Sequence, residues 1–350
     1  MTAMERRLLE IWYRPGGAVS LLQPLGWAYG AAMRLRQAAY AHGAVPIYRI
    51  GKPVVVVGNL TVGGTGKTPL TIWLAESLKA RGLAVGIVSR GYRRAAPRSR
   101  TTPSLLERGS RWEDVGDEPL LIQQRTGCPV VVGEDRVAAA LRLAAEPVDV
   151  ILSDDGLQHL RLARDCEIAV LDGARGLGNG RLIPAGPLRE SPVRLKQVDA
   201  IVVNGVAEHA SLASGGPVPL DRSLCMSLRL GAAQRLEDGS CVPLERFRST
   251  PLHAVAGIGH PERFFRDLRS QGLQLIEHPF PDHHPFSSRE LAFPDEWPIL
   301  MTQKDAIRCA ALATSRMWLV PVTATFADAQ ARALLDLVSR RIDAARALKG

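Results

Sequence analysis

Val54-Val55-Val56-Val57-Gly58-Asn59-Leu60-Thr61-Val62-Gly63-Gly64-Thr65-Gly66-Lys67-Thr68-Pro69 is the stretch on which the fold turns. Four β-branched residues in a row, introduced by Lys52-Pro53, read as a short strand buried on both faces. Leu70, Trp73, Leu74 and Leu78 then recur at helical spacing until Gly82, with Pro69 in the first turn, where its missing N–H costs nothing. Strand, glycine loop and helix in that order form a phosphate cradle. Backbone N–H groups curl round phosphate oxygens, and the helix N-terminus adds positive potential. Lys67 reaches the β and γ phosphates, and the Thr68 hydroxyl suits magnesium. Thr61, Val62, Gly63, Gly64, Thr65, Gly66, Lys67 and Thr68 are therefore the expected ATP-binding residues. The general pattern GxxxxGK followed by Ser or Thr would put glycine at position 61, where this chain has Thr61, so the start of the loop is expected to differ.

Outward from this stretch, apolar runs at 85–88, 130–132, 148–152, 168–171 and 200–203 alternate with helical or loop segments. That spacing predicts a mostly parallel sheet with crossover helices, whose chemistry gathers beyond the carboxyl ends of the strands. After the run at 148–152 comes Ser153-Asp154-Asp155-Gly156-Leu157-Gln158-His159. A strand ending in Asp places a carboxylate near the P-loop magnesium, which makes Asp154 the metal-side candidate. Asp155, Gln158 and His159 are expected to face the acceptor, although adjacent aspartates also cap turns and helices. Asp114-Val115-Gly116-Asp117-Glu118-Pro119 gathers three carboxylates before another predicted helix. Capping accounts for one of them, and Asp117 is a candidate for handling a proton or orienting a base. Arg90, directly after a predicted strand, could face phosphates, while Arg98 and Arg100 suit solvent or a membrane surface.

The chain has 350 residues, 46% apolar and 23% charged, which excludes a mainly disordered or fibrous protein. Its formal charge is +9, and the surplus is clustered. Seven arginines face two glutamates between Arg90 and Glu113, and five cations surround one glutamate between Gly173 and Lys196. An anionic partner follows from this, but charge alone does not choose among nucleic acid, bilayer and phosphorylated substrate. Few aromatic residues interleave these arginines, so a nucleic-acid platform is poorly supported. Five cysteines, odd in number and without CxxC spacing, fit reduced thiols rather than a zinc site or a disulfide framework.

Residues 1–45 read as an amino-terminal helical segment. No charge occurs between Arg14 and Arg34, yet Gly16, Gly17, Pro24, Gly26 and Gly30 interrupt the apolar run, making a poor spanning helix. Ala39-Tyr40-Ala41 mimics a signal-peptide cleavage site, but Glu5 and Glu10 stand where positive charge is expected. Trp12, Tyr13, Trp27, Tyr29, Tyr40 and Tyr48, flanked by Arg6, Arg7, Arg14, Arg34 and Arg36, suit a segment lying in a membrane interface. A hairpin packed on the catalytic domain is the alternative, and the two are compatible.

Residues 46–205 form the expected P-loop domain and 206–350 a smaller α/β domain, with strands near 253–257, 273–278, 299–301 and 318–322 and helices at 261–272 and 327–348. Within the second domain, Phe280-Pro281-Asp282-His283-His284-Pro285-Phe286 carries two of the eight histidines, suited to base work on a hydroxyl or simply to a surface loop.

Taken together, GNLTVGGTGKTP at 58–69, SRGY at 89–92, VGDEP at 115–119, SDDGLQH at 153–159, IPAGPLRE at 183–190, AGIGHPERF at 256–264, FPDHH at 280–284 and MTQKDA at 301–306 resemble the tetraacyldisaccharide 4'-kinases of lipid A biosynthesis. The resemblance keeps one order from Val54 to Ala306. It implies ATP- and Mg²⁺-dependent phosphoryl transfer to the 4'-hydroxyl of a tetraacylated glucosamine disaccharide 1-phosphate, a glycolipid. It implies a peripheral or monotopic protein at the cytoplasmic face of the inner membrane, with no nucleic-acid partner. It maps a base-assisting pair onto Asp117 and His283, with His284 the neighbouring possibility, and gives Lys67 charge neutralisation during transfer. It also puts Arg189 and Glu190 in the acceptor segment, with Asp154, Asp155 and Arg90 near metal, acceptor or phosphates. The family usually has Glu where this chain has Gln303. Closure of the two domains is the expected means of bringing His283 to the P-loop. The competing readings are a switch or metallochaperone-type NTPase, which would carry a guanine-reading signature that Thr302-Gln303-Lys304-Asp305 does not space correctly, and a nucleic-acid ATPase, which lacks a recognisable module.

Overall fold

The computed structural model describes residues 11–13, 19–91, 102–213, 216–219 and 222–348. Arg6, Arg7, Arg14, Glu5, Glu10, Tyr92, Arg98 and Arg100 lie outside them. A helix, α1 (Gln23–Ala41), precedes the first strand, β1 (Val54–Gly58), which leads through the glycine loop into α2 (Lys67–Ala80). Then follow β2 (Val85–Ser89), β3 (Ser104–Leu105), the short α3 (Trp112–Val115), α4 (Asp117–Thr126), β4 (Val130–Val132), α5 (Arg136–Ala144), β5 (Val150–Asp154), β6 (Cys166–Asp172), β7 (Ala200–Asn204) and β8 (Ser223–Leu230). The chain continues through β9 (Ala233–Arg235), β10 (Cys241–Val242), β11 (Leu252–Ala256), α6 (Pro261–Ser270), β12 (Leu275–Pro279), β13 (Ile299–Thr302) and α7 (Gln303–Cys309). It ends with β14 (Met317–Val320), β15 (Val322–Thr325) and α8 (Asp328–Ala347).

The strands form two sheets, one of nine in the order β15-β8-β7-β6-β1-β5-β2-β4-β3 and one of six in the order β10-β9-β14-β13-β11-β12. β1 is central and parallel to both neighbours, Val57 opposite Asp154 and Ile168. Its valines alternate between two cores: Val55 and Val57 join Leu70, Leu74 and Leu78 on one face, Val54 and Val56 join Leu143, Ile151 and Leu188 on the other. A strand apolar on both sides is what burial between two helical layers demands. β1, β2, β4, β5, β6, β7 and β8 pair in parallel, and β3 and β15 close the edges antiparallel, as an α/β sheet of this kind allows.

The division expected at 205/206 does not coincide with the sheets. β8 extends the first sheet beside β7, β15 returns to pair with β8, and α8 packs Leu334, Val338 and Ile342 into the P-loop core. The second unit is thus an excursion, running from β9 to β14, out of the larger one. Its β11, β12, β13 and β14 are mutually parallel, with Phe264, Phe265 and Leu268 of α6 packed on one face and Ala306 and Cys309 of α7 on the other.

Polar contacts tie the units together. Arg263 of α6 reaches Asn204 (3.0 Å) and Asp172 (3.4 Å), Arg125 donates to Gln303 Oε1 (2.8 Å), and Lys304 pairs with Glu118. Gln303 therefore serves as a neutral acceptor between the units.

α1 lies on the P-loop unit through its glycines. A Cβ on Gly26 would stand 3.2 Å from Leu182 O, and one on Gly30 would stand 2.6 Å from Leu182 Cδ1. Tyr29 donates to Arg189 O (2.9 Å), Arg36 to Gln158 O (2.8 Å) and Gln37 to Glu190 (2.8 Å). The opposite face, with Leu25, Ala28, Ala32 and Leu35 at helical spacing, is exposed, as are Leu21 and Trp27. Among the described residues no helix is long and apolar enough to cross a membrane.

Candidate active site

The glycine loop leaves β1 and enters α2 through Gly66, whose left-handed φ of +97° caps the helix. A side chain there would collide with the Asn204 amide, 2.5 Å from the added Cβ, so both φ and space require glycine. That amide donates to Thr65 O (3.0 Å), and Asn59 donates to Thr65 Oγ1 (3.2 Å), which fixes the loop's crest. Thr61 departs from the general pattern for a visible reason. It bridges Leu188 antiparallel, and Val62 N donates to Pro187 O (2.8 Å), so the loop begins as a paired extended segment with no use for glycine. Val62, Gly63 and Gly64 are partly or fully exposed along the crest, and Thr68 is buried beneath it.

Lys67 Nζ lies 3.5 Å from Asp155, whose carboxylate also takes Arg189 Nη1 at 3.3 and 3.4 Å. Asp155 has a φ of +49°, a conformation that Asp tolerates better than most residues. Burial opposes its charge, but Lys67 and Arg189 outweigh that and hold its carboxyl far below the usual range. Its neighbour Asp154, at the end of β5, behaves oppositely. Burial, with the charges of Glu118 and Asp155, pushes it up to about 6, although Thr71 donates to it at 3.1 Å. A buried carboxylate raised by other carboxylates is one that a cation would relieve. Thr68 and Asp154 thus supply two hard oxygens suited to Mg²⁺, an ion that takes one or two protein oxygens and completes its shell with phosphates and water. Among the described residues no group of three or more His, Cys, Asp or Glu is placed to hold a metal ion.

Asp117 opens α4 and is 3% exposed. Its Oδ2 meets His283 Nδ1 at 2.8 Å across the boundary between the units. The contact exists without further motion of the units. Burial works against the Asp117 charge, yet the His283 hydrogen bond and the cations Lys304 and Arg308 bring its pKa down to about 2. Burial likewise opposes the imidazolium, but the bond to Asp117 raises the His283 pKa overall. His284 turns away to Glu290 at 2.8 Å, so the structure brings His283, not His284, to Asp117. The histidine loop also approaches the P-loop: a Cβ on Gly259 would stand 3.4 Å from Asp282 Oδ2 and 3.9 Å from Gly64 N.

The remaining predicted residues divide. Arg90 is exposed at the end of β2 and, behind burial and Arg136, helps lower the His159 pKa to about 4. Gln158 and Glu190 instead form a wall. Gln158 donates to Glu190 (2.7 Å) and Asn59 O (3.1 Å), and Glu190, 1% exposed, also holds Gln37 of α1. Glu190 is thus closed off from solvent and Gln158 half-buried, both tied to α1 and to the loop that carries Arg189. Sequence reasoning did not single out Glu118, Arg136, Asn204, Arg263 or Arg308 as site residues. Their roles depend on partners between 18 and 191 positions away, for which a single chain offers no local signal.

This arrangement, a P-loop lysine flanked by a paired aspartate and arginine and faced by a histidine–aspartate pair, suits phosphoryl transfer to an alcohol. Comparison with known proteins agrees. The profile of the family described as "LpxK: Tetraacyldisaccharide-1-P 4'-kinase" matches residues 18–340. A tetraacyldisaccharide 4'-kinase of Alkalilimnicola ehrlichii is 50% identical, over 91% of this chain and 92% of its own. One of Pseudomonas aeruginosa is 45% identical, over 92% and 94%. The crystal structure titled as the "apo" form of LpxK from Aquifex aeolicus in complex with ATP superposes with a TM-score of 0.75 at 29% identity, covering 93% of this chain and 99% of that one. With most of its length matched both in sequence and in structure, the chain belongs to the tetraacyldisaccharide 4'-kinase family.

Proposed function

We propose that this chain carries out its family's reaction, transferring the γ-phosphate of ATP to the 4'-hydroxyl of a tetraacylated glucosamine disaccharide 1-phosphate, with the residues assembled above. The reading rests on one conjunction: the P-loop residue Lys67 stands beside Asp155 and Arg189, while His283 is already hydrogen-bonded to the buried Asp117. The loop from Thr61 to Thr68 binds the triphosphate, whose oxygens take over Lys67 from Asp155. Mg²⁺, held by Thr68 and Asp154, supplies neutralisation of phosphate charge when bound. Lys67 offsets charge on the transferred group, and Arg90 and Arg189 bind anionic groups of nucleotide or acceptor. Asp155 and His159 orient the sugar, and Gln158 with Glu190 keeps that wall in place.

His283 donates its Nδ1–H to Asp117 and so presents Nε2 as the proton acceptor for the hydroxyl. Asp117 steadies the imidazolium that results. Positioning and electrostatics, rather than covalent chemistry by the protein, lower the barrier. Leu21, Leu25, Trp27 and Leu35, exposed around α1, lie in the cytoplasmic leaflet of the inner membrane, and α1's hydrogen bonds to the Arg189–Glu190 wall bring the glycolipid's entry close to the site.

The test is incubation with γ-labelled ATP, Mg²⁺ and the disaccharide acceptor in detergent, followed by chromatography of the lipid phase. Label in the acceptor spot is expected. ATP consumption without labelled lipid would overturn the reading in favour of a hydrolytic switch.

A further inference from the structure

The stretch Met301-Thr302-Gln303-Lys304-Asp305-Ala306, whose Gln303 and Lys304 tie the two units, also leads to a wholly buried charged pair. Thr302 ends β13 and caps α7, accepting from Asp305 N at 3.2 Å. Asp305 and Arg308, one turn apart on α7, have side chains with no exposure and meet at 2.5 Å. Burying an ion pair is no efficient route to stability, since packed apolar residues of the same volume do as well. The contacts of the pair point to another use.

Asp305 Oδ1 accepts from Gly257 N (3.1 Å), and Arg308 Nη2 donates to Gly257 O (2.9 Å), so the pair clamps both polar groups of one residue at the end of β11. Gly257 O is also the acceptor for His283 N (3.1 Å), and Arg308 Nη1 donates to His284 O (3.4 Å). His283 has a φ of +59°, a conformation that a histidine holds only where its surroundings impose it. On its other side, Arg308 Nε stands 3.5 Å from Asp117 Oδ2, the same oxygen that meets His283 Nδ1. A single guanidinium therefore touches the carbonyl that anchors the histidine's backbone, the carbonyl that follows it, and the carboxylate that orients its ring.

We propose that Arg308, held by Asp305, is a positioning residue for phosphoryl transfer, fixing His283 and Asp117 relative to each other across the two units. The inference rests on the dyad proposed above. Lysine at 308 keeps the charge but, with one ammonium, cannot grip Gly257 O, His284 O and Asp117 together. Arg308 also lines an open cleft of about 810 Å³ with Phe286, Gln303 and Leu319.

The experiment measures kcat and the KM for ATP of the full chain with Arg308→Lys, with His283→Ala, and with both substitutions, after thermal unfolding has shown each to be folded. We expect Arg308→Lys to lower kcat roughly ten- to hundredfold, the cost of a misplaced catalytic group, with the KM for ATP within about twofold. We expect it to add no further loss when His283 is already alanine, because it acts through that side chain. An equal loss in both backgrounds, or an undiminished kcat, overturns the inference and leaves the dyad standing. A His283→Ala enzyme with undiminished kcat overturns the dyad itself. If Arg308→Lys does not fold, the near-isosteric Asp305→Asn puts the same question in the same two backgrounds.

Discussion

Asp117→Asn keeps the shape of the side chain that links the two units and removes its charge. The native carboxylate takes the His283 Nδ1–H at 2.8 Å and raises the imidazole's pKa against the pull of burial. A hydrogen bond to a charged group contributes about 1.5–3 kcal/mol and a neutral one about 0.5–1.5, so the substitution forfeits about 1–2 kcal/mol of imidazolium stabilisation. At about 1.4 kcal/mol per decade, kcat should fall at least fivefold or so, and the acidic limb of the kcat/KM profile should move down by about one pH unit. The limb moves down because the charge that favours protonation is gone, while Asp282 still raises and Lys304 still lowers the same ring. Stability follows the same charge. The folded-state pKa of about 2 lies below the ordinary 3.8, so the carboxylate's contribution, about 2 kcal/mol, is fully present above about pH 4 and is lost as pH falls through about 2. Urea unfolding should show the variant weaker by about that much at pH 7, with the gap closing below about pH 3. An acidic limb that stays in place or moves upward, or an unchanged kcat, refutes the assignment of His283 as the base oriented by Asp117.

Lys67→Ala should lower turnover on the order of 10²–10³-fold, the usual effect of removing one donor to developing charge, with an unaltered circular dichroism spectrum; activity within a few-fold of the parent would remove Lys67 from the reaction. Chelation of Mg²⁺ by EDTA should abolish labelling of the lipid, and added Mg²⁺ should restore it; transfer that persists in chelator would contradict the Thr68 and Asp154 site. Trp27→Glu with Leu35→Glu, at positions 65% and 73% exposed, should cut co-sedimentation with anionic vesicles by about tenfold or more, and unchanged sedimentation would place the membrane contact elsewhere. Gly26→Val, pressing on the Leu182 backbone, should raise the KM for the glycolipid several-fold with the KM for ATP unchanged; an equal rise in both would mean that α1 supports the whole fold rather than the acceptor side.

The P-loop was legible because its cause is local. β-branched residues, glycines and helical periodicity lie within the twenty-five consecutive positions from Val54 to Leu78, and the structure places strand, loop and helix there. Contiguous apolar runs likewise announced β2, β4, β5, β6 and β7, which are buried on both faces. β8 escaped notice because it lies beside the edge strand and alternates exposed with half-buried or buried residues, so no contiguous apolar run marks it. The excursion of the second unit escaped for a related reason: nothing in the chain near Asn204 tells that a strand more than 100 positions later, β15, rejoins the same sheet.

By itself the sequence determined the chemistry available: a phosphate cradle ending in Lys67 and Thr68, carboxylates at 117, 154 and 155, histidines at 283 and 284, and an amino-terminal segment rich in aromatic residues. Tertiary structure decided which of these meet. It joined His283 rather than His284 to Asp117, turned Glu190 from an open carboxylate into a buried support for α1, and lodged Arg308 against the dyad. The physical reason is that composition and periodicity follow from forces between near neighbours, whereas a hydrogen bond across 166 residues exists only once two cores have packed and fixed the loops between them.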